Sequence, residues 1–241
     1  VKISVVIPAF NEEKLLPVTL ASLQNSLPVL HERGWETELI VCDNNSTDRT
    51  GDIARTAGVK VVFEPMNQIA RARNTGVSIA TGDWLLILDA DSKPSRELLD
   101  DTAEAIASGR CILGGTTLQP DEVYFTSWVV YKVWNFMSRW RRWATGPFIF
   151  CERSVFLELK GFDEILYSSE DIDFALRMRR LARQTGKSIL ILHRHPLVTS
   201  ARKFKLYRWR DYLWFLAKTL FTRGRTLRDK QDCYTWYDGR R

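Results

Sequence analysis

The chain has 241 residues, 45% of them hydrophobic and 27% charged, and a formal net charge of +6 from 35 Lys+Arg against 29 Asp+Glu. This is ordinary globular composition, sufficient for one substantial core or two closely packed subdomains. It excludes a membrane span, because no apolar run reaches the roughly 18 to 20 residues required.

Cys42, Cys111, Cys151 and Cys233 form no CxxC pair and read as free thiols in a reducing cytosol. Val1 to Ile7 is followed at once by Pro8, Asn11, Glu12 and Glu13, which is not a signal-peptide pattern. A modest positive balance fits anionic substrates, a membrane surface or nucleic acid, and does not choose among them.

Lys2 to Ile7 reads as a short apolar strand ended by Pro8. Glu12 to Leu27 reads as a helix with Pro17 in its first turn, where the missing N–H costs nothing. Glu38 to Val41 is a second strand, stopping at Cys42-Asp43-Asn44-Asn45-Ser46, and Asp48 to Ala57 is helical. Val59 to Phe63 is a third strand. A helix from Ile69 to Ala80 leads to a strand at Trp84 to Leu88. Strands alternating with helices in this rhythm predict an α/β unit with a mostly parallel sheet.

Beyond residue 117 the texture changes. Tyr124 to Trp143 is crowded with aromatics, and Trp128, Tyr131 and Trp134 are spaced to share a helical face. Phe148 to Cys151 and Ser188 to Leu192 read as strands, and Glu170 to Ala182 as a helix.

Ligands of parallel sheets bind at the carboxyl ends of the strands. Three such ends here carry polar residues: Asn11 and Glu12, Asp43 and Asn44, then Asp89 and Asp91. Asn44, Asn45 and Ser46 suit turns and caps equally well. Asp89-Ala90-Asp91 is different, since a buried strand rarely finishes on two carboxylates without a use for them. One carboxylate can face a divalent metal and the other a sugar hydroxyl; Mg²⁺ or Mn²⁺ needs only one or two protein oxygens beside diphosphate and water.

Arg71 and Asn74 lie one helical turn apart, so Arg71 can reach a diphosphate or a base, while Arg73 reads as a surface charge. In Ser168-Ser169-Glu170-Asp171-Ile172-Asp173, a serine can cap the following helix, and Asp173 serves that helix. Asp171 is the candidate general base toward an attacking hydroxyl.

Taken together, Val5 to Glu12, Val41 to Asp48, Ala70 to Gly76, Asp89 to Asp91 and Gly161-Phe162-Asp163 with Glu170-Asp171 resemble the inverting family 2 glycosyltransferases of GT-A fold. The resemblance covers about residues 5 to 180 in family order. It implies a nucleotide-diphosphate sugar donor, UDP- or GDP-linked, and Mn²⁺ or Mg²⁺.

By that resemblance Pro8, Ala9, Phe10 and Glu12 line the nucleoside pocket. Asp43 reads the base, and Arg71 and Asn74 face base or phosphate. Asp89 and Ala90 lie near the ribose or donor sugar, Asp91 binds the metal, and Glu170 and Asp171 form the catalytic pair with Asp171 as base. Cys42 stands where the family usually has an aspartate.

The implied architecture is a Rossmann-like, mostly parallel sheet with a fused acceptor-binding subdomain and a C-terminal helical tail. Residues 1–117 form the nucleotide-sugar half, 118–198 the acceptor half of the same domain, and 199–241 a lid and tail. His193 and His195, placed after the strand ending at Leu192, are candidate metal ligands, against a substrate contact or an ordinary hydrogen-bonded histidine. Arg202 and Lys203 are placed to approach the donor diphosphate when the tail closes.

Residues 204–218 are basic and aromatic at helical spacing, which fits peripheral membrane contact or packing on the domain or a homodimer partner. The expected acceptor is a carbohydrate or a lipid-linked hydroxyl, and the expected location is the cytoplasm or the inner face of the membrane. A nucleic-acid partner is not expected, for lack of a helix-turn-helix or RNA-binding signature. A nucleotidyltransferase acting on a sugar phosphate is the nearest alternative, but no Gly-rich phosphate loop with lysine follows the first strand. A non-catalytic nucleotide-sugar-binding scaffold is the other, and the presence of Asp91 and Asp171 speaks against it.

Overall fold

The computed structural model describes residues 1–202, 206, 214–215, 217–219 and 221–237. One eight-stranded sheet organises the chain, in the order β3-β2-β1-β4-β7-β6-β8-β5. The strands are β1 (Lys2–Ala9), β2 (Glu36–Asp43), β3 (Lys60–Phe63), β4 (Trp84–Leu88), β5 (Ser92–Lys93), β6 (Cys111–Pro120), β7 (Phe148–Glu152) and β8 (Ser188–Thr199). The first four are mutually parallel. β7 runs antiparallel to both β4 and β6, β8 is parallel to β6, and β5 is antiparallel to β8.

The parallel strands are apolar at nearly every position because both faces are covered. Val5, Ile7, Leu86, Leu88, Phe148 and Phe150 point into one core. That core is closed by α1 (Leu16–Ser26), α2 (Pro28–Glu32), α5 (Arg96–Ala107) and the inner side of α6 (Phe125–Arg141). Val6, Leu85, Ile87, Ile149 and Cys151 point into the other, against α4 (Ile69–Ser78), α7 (Arg153–Glu158) and α8 (Glu170–Thr185). A short α3 (Thr50–Thr56) joins β2 to β3.

Several elements differ from the sequence expectation for identifiable reasons. Pro8 does not end β1, which runs on to Ala9. Even-numbered residues of β1 turn their backbone groups to β4, as Lys2 O does toward Asp83 N, and odd ones turn to β2, as Ala9 O does toward Asn44 N. The last β1–β4 pair is Val6–Ile87, so the missing N–H of Pro8 faces a side where no ladder remains.

Likewise β2 continues through Cys42 to Asp43. α1 begins at Leu16 rather than Glu12, with Pro17 in the first turn as expected. The 117/118 and 198/199 boundaries fall inside β6 and β8, so the two halves share one sheet. β8 does not stop at Leu192. Its pairing with β6 steps from Thr116–Leu192 to Leu118–Leu197, and the extra residues between them carry His193, Arg194 and His195 in a bulge.

Candidate active site

Three loops at the carboxyl ends of β1, β2 and β4 build a cleft. After Ala9 the chain turns through Asn11, whose φ of 54° suits asparagine. Asn11 N donates to Ser46 Oγ at 3.0 Å, Thr47 N donates to Asn11 Oδ1 at 2.8 Å, and Glu12 N donates to Thr50 Oγ1 at 2.7 Å. These bonds lock the β1 loop to the β2 loop. Pro8, Ala9, Phe10 and Glu12 then line the cleft with Asn44, Asn67, Ile69, Ala72, Asp89, Ala90, Asp91, Arg202 and Tyr237. Of the residues expected to hold a nucleotide sugar, those of the β1 loop, Asp89, Ala90, Asp91 and Arg202 come together here.

Asp43, Arg71 and Asn74 do not line it. Asp43 Oδ1 accepts from Ser46 N at 3.0 Å and shapes the turn, while its neighbour Asn44 lines the cleft. Asn44 Oδ1 accepts from Gln68 N at 3.0 Å, which draws in the loop before α4. Arg71 turns outward to Glu164 at 2.6 Å and Glu64 at 3.5 Å. Asn74 clasps the Phe162 backbone, donating to its O at 2.9 Å and accepting from its N at 3.0 Å.

The inward residue is Arg73, expected at the surface yet only 2% exposed. The reason lies in helical phase: Arg73 shares a face with the buried Ala70, Gly76 and Val77, two residues and about 200° from Arg71. Arg73 donates to Glu170 Oε1 at 2.7 Å and Asp89 Oδ1 at 3.3 Å, and its guanidinium lies 5.2 Å from the Phe162 ring centroid. Burial pushes the Glu170 carboxyl up to about 7, against the pull of Arg73 and with the push of Asp171. Glu170, expected in the catalytic pair, is a buried partner of Arg73.

Asp171 faces a second cleft, lined among others by Arg73, Asp89, Asp91, Tyr131, Trp134 and Ser168. It accepts from Gly146 N and Ile172 N, each at 2.7 Å. Ser169, just before α8, is left-handed at φ 65° and makes no side-chain cap. Non-glycine residues hold that conformation at a cost, and such strain collects where a side chain must be aimed. Asp173 pairs with Arg177 at 2.7 Å, as the helix-serving reading expects.

Arg202 closes the first cleft. Both of its terminal nitrogens donate to the Glu12 carboxylate, and one lies 3.1 Å from Asp91 Oδ2. Burial lowers the Arg202 pKa, but the Glu12 and Asp91 carboxylates raise it further, so this cation is permanent. Lys203 lies outside the described residues. Tyr237 donates to Tyr167 O at 2.8 Å and accepts from Ile69 N at 3.3 Å. Asn67, Ile69, Ala72 and Tyr237 were not singled out from sequence. Ile69 and Ala72 come in on the first turn of α4, Asn67 on the loop before it, and Tyr237 on a late helix at Tyr234–Tyr237.

A divalent cation fits this donor set. Asp89 and Asp91 offer hard oxygens at the junction of the two clefts, and the Arg202 guanidinium already lies on Asp91 as a positive charge. Among the described residues no three His, Cys, Asp or Glu converge on one point, so phosphate and water would complete the shell. His193 and His195, expected as candidate ligands, are not brought to this donor set. His193 Nδ1 meets Ile191 O at 3.4 Å and His195 Nδ1 meets Asp101 Oδ2 at 3.1 Å, and neither lines a cleft. The β8 bulge carries both outward.

Known proteins resemble this chain in sequence and in fold. Probable glycosyltransferase YdaM of Bacillus subtilis (strain 168) is 29% identical over 208 residues, covering 75% of this chain and 47% of that protein. The mannosyltransferase PcManGT from Pyrobaculum calidifontis, solved with GDP-Man and Mn²⁺, superposes with a TM-score of 0.65 at 20% identity, over 87% of this chain and 59% of that one. TarS of S. aureus, solved with UDP-GlcNAc, gives a TM-score of 0.63 at 22% identity over 84% of this chain and 59% of that one.

The fold is the GT-A type that the motifs implied. The chain spans between 19 and 58% of the length of the curated relatives compared. The model of "Glycosyl transferase family 2" matches residues 4–166, so the chain belongs to glycosyl transferase family 2.

Proposed function

We propose that the protein transfers a sugar from a UDP- or GDP-linked donor to an acceptor hydroxyl, with inversion at the anomeric carbon and in a metal-dependent way. The observation that carries this reading is the meeting of two clefts at Asp89 and Asp91. A nucleotide suits the first, whose rim is the Pro8 to Glu12 loop with Asn44 and Arg202. An acceptor suits the second, which holds Asp171 and the aromatic walls Tyr131 and Trp134. The sugar then lies across the carboxylates that both clefts share. The similarity to proteins solved with GDP-Man and with UDP-GlcNAc supports a nucleotide-sugar donor and leaves the base open.

In this reading Asp171 takes the proton of the acceptor O–H as the oxygen bonds to the anomeric carbon. The bond from that carbon to the donor phosphate breaks, and its electron pair leaves with the nucleoside diphosphate. One displacement inverts the centre. Two backbone N–H groups donate to Asp171 and aim it, and a general base needs a fixed position. Buried Arg73 fixes Asp89 with one terminal nitrogen and Glu170 with the other. Arg202, drawn from Asp91 to the incoming diphosphate, offsets charge that grows on the leaving group. Asp91, with Asp89, would hold Mn²⁺ or Mg²⁺, whose chemistry when bound is to neutralise the diphosphate.

Calorimetric titration with UDP, GDP and their sugar conjugates, with and without Mn²⁺, tests the donor site. One diphosphate is expected to bind tightly with Mn²⁺ and weakly after Asp91→Ala. Folded protein that binds none of them with metal present sinks the assignment.

A further inference from the structure

Helix α6 is apolar on two opposite sides, and only one of them is buried. Ser127, Tyr131, Trp134 and Ser138 recur at offsets of four, three and four and face inward, with Tyr131 and Trp134 packed on the core. Val129, Val133, Phe136 and Trp140 repeat the same offsets two residues on, about 200° away. That second stripe is in solvent: Val133 is 58% exposed, Phe136 68% and Trp140 65%. Phe136 and Trp140 stack on each other with ring centroids 6.4 Å apart, so the exposed surface is continuous. A helix apolar all round is normally enclosed, and contiguous exposed apolar surface marks a contact.

Charge identifies what covers it. Residues 125–142 hold Lys132, Arg139, Arg141 and Arg142 and no acid. At the C-terminal end of the helix, Trp140 shares a pocket with Arg141, Arg142, Arg179, Arg183 and Lys187. The acid at its edge is Glu152, paired with Lys187. Arg179 donates to Arg141 O, and burial together with Arg183, Arg141 and Arg142 lowers its pKa. Such crowding of like charges is relieved by an anion. A second copy packed stripe to stripe would bring these cations against their own kind. Exposed aromatics beside clustered arginines match an interface where acyl chains meet anionic headgroups.

We propose that the outward stripe of α6 and the basic pocket at its end dock the protein on an anionic membrane surface. Membrane contact was one of two readings open for residues 204–218, most of which lie outside the described residues; α6 offers a described surface for it. A consequence, which rests on the glycosyl-transfer reading, is that the acceptor is lipid-linked. Tyr131 and Trp134, on the opposite side of the docked helix, wall the cleft that holds Asp171.

Co-sedimentation tests the docking without any donor. The full chain is mixed with vesicles of phosphatidylcholine alone and of phosphatidylcholine with phosphatidylglycerol. Binding is expected to the mixed vesicles, to be weak on phosphatidylcholine, and to fall with added salt. Phe136→Ser/Trp140→Ser and Arg142→Gln/Arg183→Gln each lower the partition coefficient by about ten-fold or more. All four side chains are exposed, and unchanged melting curves verify folding. Wild-type-like sedimentation of both variants overturns the proposal, as does wild type that ignores mixed vesicles. A dimer in light scattering that Phe136→Ser/Trp140→Ser dissolves also overturns it, in favour of a second copy. Nucleotide titration on the same samples separates the two readings: donor binding without vesicle binding sinks the docking alone, and the converse sinks the donor site alone.

Discussion

Replacing Glu170 by glutamine isolates the charge balance at the junction of the clefts. One buried guanidinium, Arg73, faces Glu170 at 2.7 Å and Asp89 at 3.3 Å, with Asp171 close by. Three carboxylates compete for one cation, and burial pushes Glu170, the most enclosed, from 4.5 up to about 7. The folded protein therefore holds this proton more tightly than the unfolded chain. Between about pH 4.5 and pH 7 the native state binds more protons, so this group's contribution to stability declines as pH rises through that window. A shift of that size corresponds to roughly 3 kcal/mol between the ends of the window.

Glutamine keeps an oxygen for Arg73 and removes the titration. Urea denaturation of wild type and Glu170→Gln, well below and well above the window, measures the difference. The variant is expected to gain roughly 2–3 kcal/mol on wild type between the acidic and the alkaline measurement. A constant difference across the range would refute the reasoning, and would mean that Arg73 holds Glu170 ionised throughout.

Arg71→Gln is expected to leave nucleotide affinity within about two-fold, since Arg71 faces Glu64 and Glu164. Arg73→Met removes a partner from a buried pair and lowers stability by about 3–5 kcal/mol, read in the same denaturation assay. Glu38 sits at the opposite end of the sheet. Burial raises its pKa, but hydrogen bonds from Lys60, Ser4 and Thr81 bring it down to about 2. Its stabilisation is present above the unfolded pKa and lost as pH falls toward 2, so Glu38→Gln costs roughly 3 kcal/mol at neutral pH and almost nothing near pH 2. His193→Ala and His195→Ala leave any Mn²⁺ dependence of nucleotide binding unchanged, whereas a loss for either would return that histidine to the metal shell.

What could be read from the sequence follows from the range of the interactions involved. β1, β2 and β4 are legible because both of their faces are buried, and the helices between them carry clear apolar phase. β6 was not singled out: Gly114 and Gly115 break its pattern. A Cβ on Gly114 would lie 1.9 Å from Phe150 Cζ, so the ring occupies the space that a side chain would fill. α5 was also passed over, although Ser95 Oγ accepts from Leu98 N at 3.1 Å and Leu98, Leu99, Thr102 and Ile106 make a regular inner face.

The acidic strand ends were visible as a set, yet their partners were not. Glu170 finds Arg73 across 97 positions and Arg202 finds Glu12 across 190. No local pattern encodes such a meeting. The choice of Arg73 over Arg71 was accessible, by extending the spacing of Ala70 and Val77 along α4. The fate of His193 and His195 was not, because it depends on how many residues β8 spends opposite β6.

The grip of Arg202 on Glu12 and Asp91 makes the donor cleft behave as an ion exchanger. In the proposed function, a diphosphate arriving alone would take the guanidinium only by depriving the buried Glu12 and the half-buried Asp91 of it. A metal ion arriving alone can take Asp91 only by displacing that same cation. Arriving together they swap partners, and electroneutrality is kept inside the cleft at every moment. In the proposed function, nucleotide and metal would thereby be coupled in their affinities, each strengthening the other by the same factor, through one side chain that belongs to neither.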